Sequence, residues 1–248
     1  KQIDRIKKTQ VNLFIKKEEL SQEIKKKKNL LEIKKKEKLN YQSDKNSQLI
    51  SLNKIRDNEQ NLAAELEKNN KKRNEIVKAV KKAIEDEIKA LEKLKKAKFA
   101  LTPEGIAMSK SFNKNKGRLI WPVKRGEITS KYGRHQHHLV TTAFVDNNGV
   151  DITTSKNSLV RSVFQGKVTS VLVIPGAGKV VMISHGEYRT VYANLQEVFV
   201  QKGEQVNAKE NIGKLLAKSN GVSESHFEIW KISSTGMNTV NPSLWLSK

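Results

Sequence analysis

The first proline of this chain is Pro103 and the first glycine is Gly105. About a hundred residues therefore run without either helix-breaking residue, and such a stretch has few options besides helix or disorder. All 13 Gly, all 4 Pro and all 3 Trp of the 248 residues fall in the remaining part of the chain. That second part has the valines, glycines and turn residues of a β-rich domain. The expected class is α+β, with a long helical arm at residues 1–98, a polar join at 99–118 and an antiparallel β domain at 119–248.

Within the arm, Ile3, Ile6, Leu13, Leu20, Ile24 and Leu31 recur mostly three, four or seven apart, the spacing of a coiled-coil seam. Gln10, Lys17 and Lys27 fall on that seam and weaken it. A second run comes at Leu49, Leu52, Ile55, Leu62 and Leu66, and a stronger third at Ile76, Val80, Ile84, Ile88 and Leu91. The polar stretches 40–48 and 68–74 are candidate bends between these runs, although the first could equally be a weak part of one long helix. A single helix buries little by itself. The arm therefore needs a partner: another segment of itself, a second chain or the β domain. The segment 76–94 is the best candidate for a helix that covers a groove of the β domain and regulates access to it, with the join as its hinge. Register and oligomeric state are left open.

The formal net charge is +22. Residues 1–100 hold 29 Lys and Arg against 16 Asp and Glu, and the remainder holds 19 against 10, so the excess is shared by both parts. A lysine run on a helix is in general a solvated face. Nucleic-acid readers add aromatic residues or a fold that seats the helix in a groove, and the first hundred residues offer only Phe14, Tyr41 and Phe99. No nucleic-acid partner is expected; an anionic bilayer surface is the lesser alternative. The absence of cysteine decides little about compartment. No run of apolar residues is long enough to span a membrane. The chain opens on Lys1, which reads as a fragment or a processed form.

In the β part, "LVRSVFQGKVTSVLVI" alternates around Gly166 and reads as a hairpin, and "GKVVMISHGEYRTVYANL" as a second one turned at "HGE". "SHFEIWKI" is a strand with Glu224, His226, Glu228 and Trp230 on one face and Ser225, Phe227 and Ile229 on the other. "RHQHH" brings His135, His137 and His138 close together, most simply as a solvated loop, and His185 beside its turn reads as structural.

The order of these pieces carries a resemblance. "WPV", "GEITSKYG", "NNGVDITT", "VRSVFQGKVTSV", "GAGKVVMISHG", "TVYANL", "KGEQVNAKENIG", "SHFEIW" and "NPSLWL" succeed one another as in LytM/lysostaphin-type peptidoglycan peptidase domains. With a Lys/Glu-rich helix in front, the whole chain is similar to EnvC-like murein hydrolase activators. Active members of the peptidase family bind zinc through a His and an Asp four residues apart and through the second His of a His-x-His strand. Two further histidines serve as acid and base, one leading that strand and one in a Tyr-x-His-Leu stretch. Here the matching positions hold Asn147, Asp151, Asn194, Glu224 and His226. Two of three ligand positions are kept and neither catalytic histidine is, although the Glu224 carboxylate could reach a metal. A catalytic zinc needs three protein ligands and an open position, with an acid/base group in reach.

The resemblance therefore implies a protein without catalysis or cofactor, exported to the periplasm or cell envelope. It implies that the groove made by Asn147, Asp151, Tyr192, Asn194, Glu224, His226 and Lys231 binds a peptidoglycan amidase, with Tyr192 as aromatic anchor and peptidoglycan as a further candidate ligand. Lys231 equally reads as an exposed strand-end lysine. It implies further that the arm docks on the FtsE–FtsX division complex. The alternatives are a plain peptidoglycan-binding module or a zinc endopeptidase with an altered site.

Overall fold

The computed structural model describes residues 2–95, 102–136, 144–175, 177–218, 221–233 and 236–247. His137 and His138, the end of the expected arm and the first residues of the expected join lie outside these. The chain divides into two units, Lys1–Asn61 and Leu62–Lys248.

One helix, α1 (Gln2–Lys95), runs without interruption through both candidate bends. The polar stretches 40–48 and 68–74 contain no Gly or Pro, and Asn, Ser and Lys each cost only about 0.7 kcal/mol or less against Ala in a helix. In the first unit the described side chains are exposed, among them the seam residues Ile3, Ile6, Leu13, Leu20, Ile24 and Leu31. A coiled coil needs a second strand, and among the described residues these side chains meet none.

The second unit begins with the rest of α1. From Leu62 the apolar side chains turn inward. Leu66 packs against Val145, and Ile76, Val80 and Ile84 are buried against Val180, Met182, Val191, Ala193, Trp230 and Ile232. The spacing of three or four residues keeps this stripe on one helix face. The packed segment starts earlier than 76, because the stripe continues through the polar stretch to Leu62 and Leu66.

The join is not simply a linker, since it contains α2 (Pro103–Lys114). Thr102 caps this helix by accepting a bond from the Gly105 amide at 3.2 Å, with Pro103 in the first turn, a favoured N-terminal arrangement. Phe112 pins it to the domain, with ring centres 4.8 Å from His185, 5.0 Å from Tyr188 and 5.1 Å from Trp245. Gly186, at φ 81°, allows α2 this close: a Cβ there would lie 2.1 Å from Ser109 Oγ.

Beyond α2 the described residues form twelve strands: β1 (Glu127–Ser130), β2 (Gly133–Gln136), β3 (Phe144–Asn147), β4 (Val150–Ser155), β5 (Leu159–Arg161), β6 (Gly166–Ile174), β7 (Gly178–His185), β8 (Tyr188–Val198), β9 (Gln205–Val206), β10 (Asn211–Leu215), β11 (Val222–Ser233) and β12 (Gly236–Val240). The main sheet has the order β1-β4-β11-β8-β7-β6-β9, with β12 on β11, β10 on β8 and β5 on β10, while β2 and β3 pair separately. All these pairings are antiparallel. The β7–β8 hairpin forms as the sequence suggests. The expected hairpin around Gly166 does not: β5 pairs with β10, and β6 with β7 and β9. The residues 162–165 carry β6 away from β5, and alternation by itself does not say which strand is the neighbour.

One sheet face buries Phe227, Ile229, Tyr192, Leu195, Val181 and Ile183 with Phe112 and Trp245. The opposite face carries Trp230, Ile232, Met182 and Val191 under α1. The split comes from the period of two along β7, β8 and β11. Burying Ile76, Val80 and Ile84 contributes about 1.5–3 kcal/mol each.

Candidate functional site

Strand β11 lies between β4 and β8, and this order assembles the site. His226 is opposite Asp151 on one side and Ala193 on the other. Asn147 ends β3 and turns the chain into β4, its Oδ1 accepting the Gly149 amide at 3.0 Å. The turn is tight: a Cβ on Gly149 would fall 2.2 Å from the Phe227 carbonyl oxygen. Asn147 is thereby held with its Nδ2 donating to Ser130 Oγ at 3.1 Å and to Asp151 Oδ2 at 3.3 Å.

At the centre is a buried chain of charges. His226 Nδ1 donates to Asp151 Oδ1 at 2.6 Å and Nε2 donates to Glu228 Oε1 at 3.0 Å. Trp230 Nε1 donates to Glu228 Oε2 at 2.7 Å. With a carboxylate at each ring nitrogen, the imidazole is held as the doubly protonated cation. Burial opposes that charge, but the bonds and charges of Asp151 and Glu228 outweigh it and lift the His226 pKa to about 10. Burial likewise works against ionised Asp151, yet His226 and then Arg73 hold its carboxyl well below the usual carboxylate range.

Arg73 comes from α1. Its Nη2 pairs with Asp151 Oδ2, and its Nη1 donates to Asn70 Oδ1 at 3.4 Å. The Asp151 side chain is 2% exposed and that of Arg73 18%. A second ion pair holds the helix farther along. Arg189, buried on β8, donates to Glu87 at 2.6 and 3.1 Å and to the Gly186 carbonyl at 2.6 Å. Its side chain is only 3% exposed, so Glu87 neutralises a guanidinium that is out of water.

Between helix and sheet lies a cavity of about 900 Å³, lined by Leu66, Arg73, Ser130, His135, Asn194 and Glu224 among others. Asn194 and Glu224, singled out in the sequence, do reach it. Asn194 adopts φ 64°, and its Nδ2 donates to the Glu224 carbonyl at 3.2 Å. Glu224 itself pairs with Lys218 at 3.0 Å. His135 joins the cavity wall, its Nδ1 3.1 Å from the Gly133 carbonyl, and is not part of a purely solvated loop.

Two expected groove residues are elsewhere. Tyr192 is fully buried in the core, its ring 5.3 Å from Phe227 and its hydroxyl accepting the Val163 amide at 2.9 Å. The left-handed backbone at Asn194 is the reason: it breaks the alternation, so Asn194 faces the cavity while Tyr192, two residues earlier, faces the core. Lys231 is exposed and stands over the Tyr188 ring at 5.9 Å, five strand positions and roughly 17 Å from His226. His185 is structural, as expected. It is fully buried between the Gln165 carbonyl and Thr190 Oγ1 at 2.7 and 2.8 Å, and burial, aided by the nearby Arg189 charge, pushes its pKa down to about 3.

Reading by sequence missed Arg73, Glu228 and the Glu87–Arg189 pair. Arg73 lies on the Leu66–Ile76–Val80–Ile84 stripe, and Glu228 shares a strand face with His226, so both were within reach of periodicity.

A zinc ion needs free lone pairs on three side chains. Both His226 nitrogens are engaged as donors, Asp151 is shared by His226, Asn147 and Arg73, and Asn147 is an amide. Among the described residues no group of three or more His, Cys, Asp or Glu is placed to hold a metal. In this arrangement the donor set does not fit zinc; a guanidinium supplies the positive charge instead.

Residues 145–242 match the family model of Peptidase family M23. An uncharacterized protein of Neisseria meningitidis serogroup B is 30% identical over 148 residues, 57% of this chain and 22% of that protein. The peptidoglycan DD-endopeptidase ShyA of Vibrio cholerae is 32% identical over 95 residues, 38% of this chain and 22% of that protein. The chain thus spans about a fifth of the length of these curated relatives. Among solved structures, Helicobacter pylori Csd3 is 30% identical, with 52% of this chain and 35% of that one covered and a TM-score of 0.43. Among the described residues no helix is long and apolar enough to cross a membrane. The antiparallel domain of this chain, preceded by one long helix, matches the M23, or LytM-type, peptidase fold.

Proposed function

We propose that this chain is a non-catalytic, EnvC-like activator of peptidoglycan amidases, acting in cell division and daughter-cell separation at the periplasmic face or in the cell envelope. The amidase binds in the groove around Asn147, Asp151, Asn194, Glu224 and His226. The exposed apolar side chains of α1 dock on an FtsE–FtsX-type complex, and the same helix governs access to the groove.

One observation carries this reading: Arg73 of α1 is paired with Asp151 in the middle of the groove. A peptidase needs that place for metal, water and substrate. The neighbouring positions agree, since Asn147, Asn194 and Glu224 stand where the resemblance expects histidines, and His226 is held as a cation that has no lone pair to give. A fold can keep its groove while losing its chemistry. With α1 in place the groove is covered; moving α1 uncovers it, and the partner then selects the open state by its greater affinity for it.

The test is release of dye from labelled sacculi. Full chain alone, amidase alone and both together are compared, each also with full chain carrying Val80→Asp, a change aimed at the helix anchor. Release that requires the amidase, and rises with Val80→Asp, supports the activator. Release by the chain alone, abolished by a chelator, would establish a zinc endopeptidase with an altered site. Sedimentation with sacculi without any effect on the amidase would establish a wall-binding module.

A further inference from the structure

We propose that the Asp151 carboxylate, at the cavity end of the buried Asp151–His226–Glu228 chain, is a guanidinium site, which Arg73 fills while α1 is down and an arginine of the groove's protein partner fills when α1 is lifted. This deepens the activator reading and rests on it for the partner's identity as a protein.

The argument is one of charge in a dry place. The side chains of Asp151, His226 and Glu228 are 2%, 3% and 0% exposed. Two carboxylates and one imidazolium leave a single negative charge, and Arg73 cancels it. Lifting α1 withdraws that cation and leaves Asp151 Oδ2 facing the cavity without its arginine, while Oδ1 stays bonded to His226. An uncompensated buried charge is expensive, so the open state favours a ligand that restores a positive charge.

The geometry narrows the choice of cation. Oδ1 of Asp151 is taken by His226, and Oδ2 faces α1, where Arg73 and Asn147 both donate to it. A metal would need a ring nitrogen of His226, and both are committed to carboxylates. A guanidinium is weakly hydrated and offers a planar fork of donors, so it enters a desolvated carboxylate site at less cost than an ammonium group. The covering helix also shows the form of its replacement. Leu66 is buried against Val145 seven residues before Arg73, and Ile76 is buried three residues after it. A partner helix with apolar residues seven before and three after an arginine on one face would reproduce this seat.

The site is tested first without amidase or wall. Full chain with Arg73→Ala, and a second variant Arg73→Gln in case the first is poorly folded, is titrated with acetyl-arginine amide, its neutral isostere acetyl-citrulline amide, and zinc chloride. His226 ring resonances and the thermal midpoint are monitored. The expected result is saturable binding of the arginine amide, about tenfold or more tighter than the citrulline amide. It should be absent in the wild-type chain and lost when Asp151→Asn is added. Zinc binding in place of arginine, or equal effects of arginine and citrulline, overturns the proposal. The partner's part is read in the sacculus assay, by adding Asp151→Asn to the Val80→Asp chain and confirming its folding by circular dichroism. Loss of amidase stimulation is expected, and undiminished stimulation overturns the proposal. If Val80→Asp itself gives no stimulation, the activator reading fails, and the titration still decides the site.

Discussion

Replacing Val80 by Asp should release α1 from the sheet without unfolding the domain beneath it. Ile76, Val80 and Ile84 are 2%, 0% and 0% exposed, and together they contribute roughly 5–9 kcal/mol of gross apolar burial. That figure is an upper one, because an unfolded chain already buries part of its apolar surface. Val80→Asp removes about a third of it and sets a carboxylate on an apolar face without a partner, which costs several kcal/mol more. The sum is comparable to everything the apolar anchor supplies, and it leaves the Arg73–Asp151 and Glu87–Arg189 ion pairs to hold the segment. The domain keeps its other core around Phe112, Tyr192 and Phe227, on the far face of the sheet. The reporter is Trp230, 2% exposed and directly under α1. Acrylamide should quench it in the Val80→Asp chain and not in wild type, with Trp230→Phe identifying its share of the signal. Arg73→Ala is the contrasting control. It removes the ion pair and leaves all three anchors, so Trp230 should stay protected. Unchanged quenching in Val80→Asp, with a normal melt, would refute the claim that apolar packing holds the helix down.

The same geometry sets four further outcomes. The His226 pKa is raised from 6.5 to about 10, so its stabilisation is fully present below 6.5 and is lost as pH rises through about 10. Urea midpoints should fall across that window, and His226→Gln should flatten the fall. Asp151 works in the opposite sense: its pKa is lowered, so its contribution is present above 3.8 and lost as pH falls below it. Glu87→Ala strands the buried Arg189 guanidinium and should cost about 3–5 kcal/mol in urea unfolding, with Arg189→Met added to it recovering most of the loss. Phe112→Ala should cost about 3–5 kcal/mol and free α2, seen as proteolytic cleavage at Lys110 or Lys114.

What could be read from the sequence and what could not divide on a physical line. The long helix was legible because a hundred residues without Gly or Pro leave the backbone little else, and the β domain because its motifs come in a known order. The pair Asp151 and His226 and the neighbours Asn194 and Glu224 came from that order too. Tyr192 was carried to the groove by the same motif order, which does not say which face of β8 a side chain takes; the left-handed Asn194 breaks the alternation and leaves Tyr192 in the core. The Gly166 hairpin failed because alternation gives a strand's faces and not its neighbour. α2 was passed over although Thr102, Pro103 and Glu104 announce a helix start.

By itself, then, the sequence determined the long helix, the β-rich character of the second part and the approximate faces of its regular strands, since these are local consequences of residue type and spacing. Only the tertiary structure decided that Arg73 meets Asp151, 78 residues away, and that Glu87 meets Arg189, 102 away. Those pairings depend on where a helix lands on a sheet, and that is set by the summed fit of Ile76, Val80 and Ile84 against a face built from separate strands.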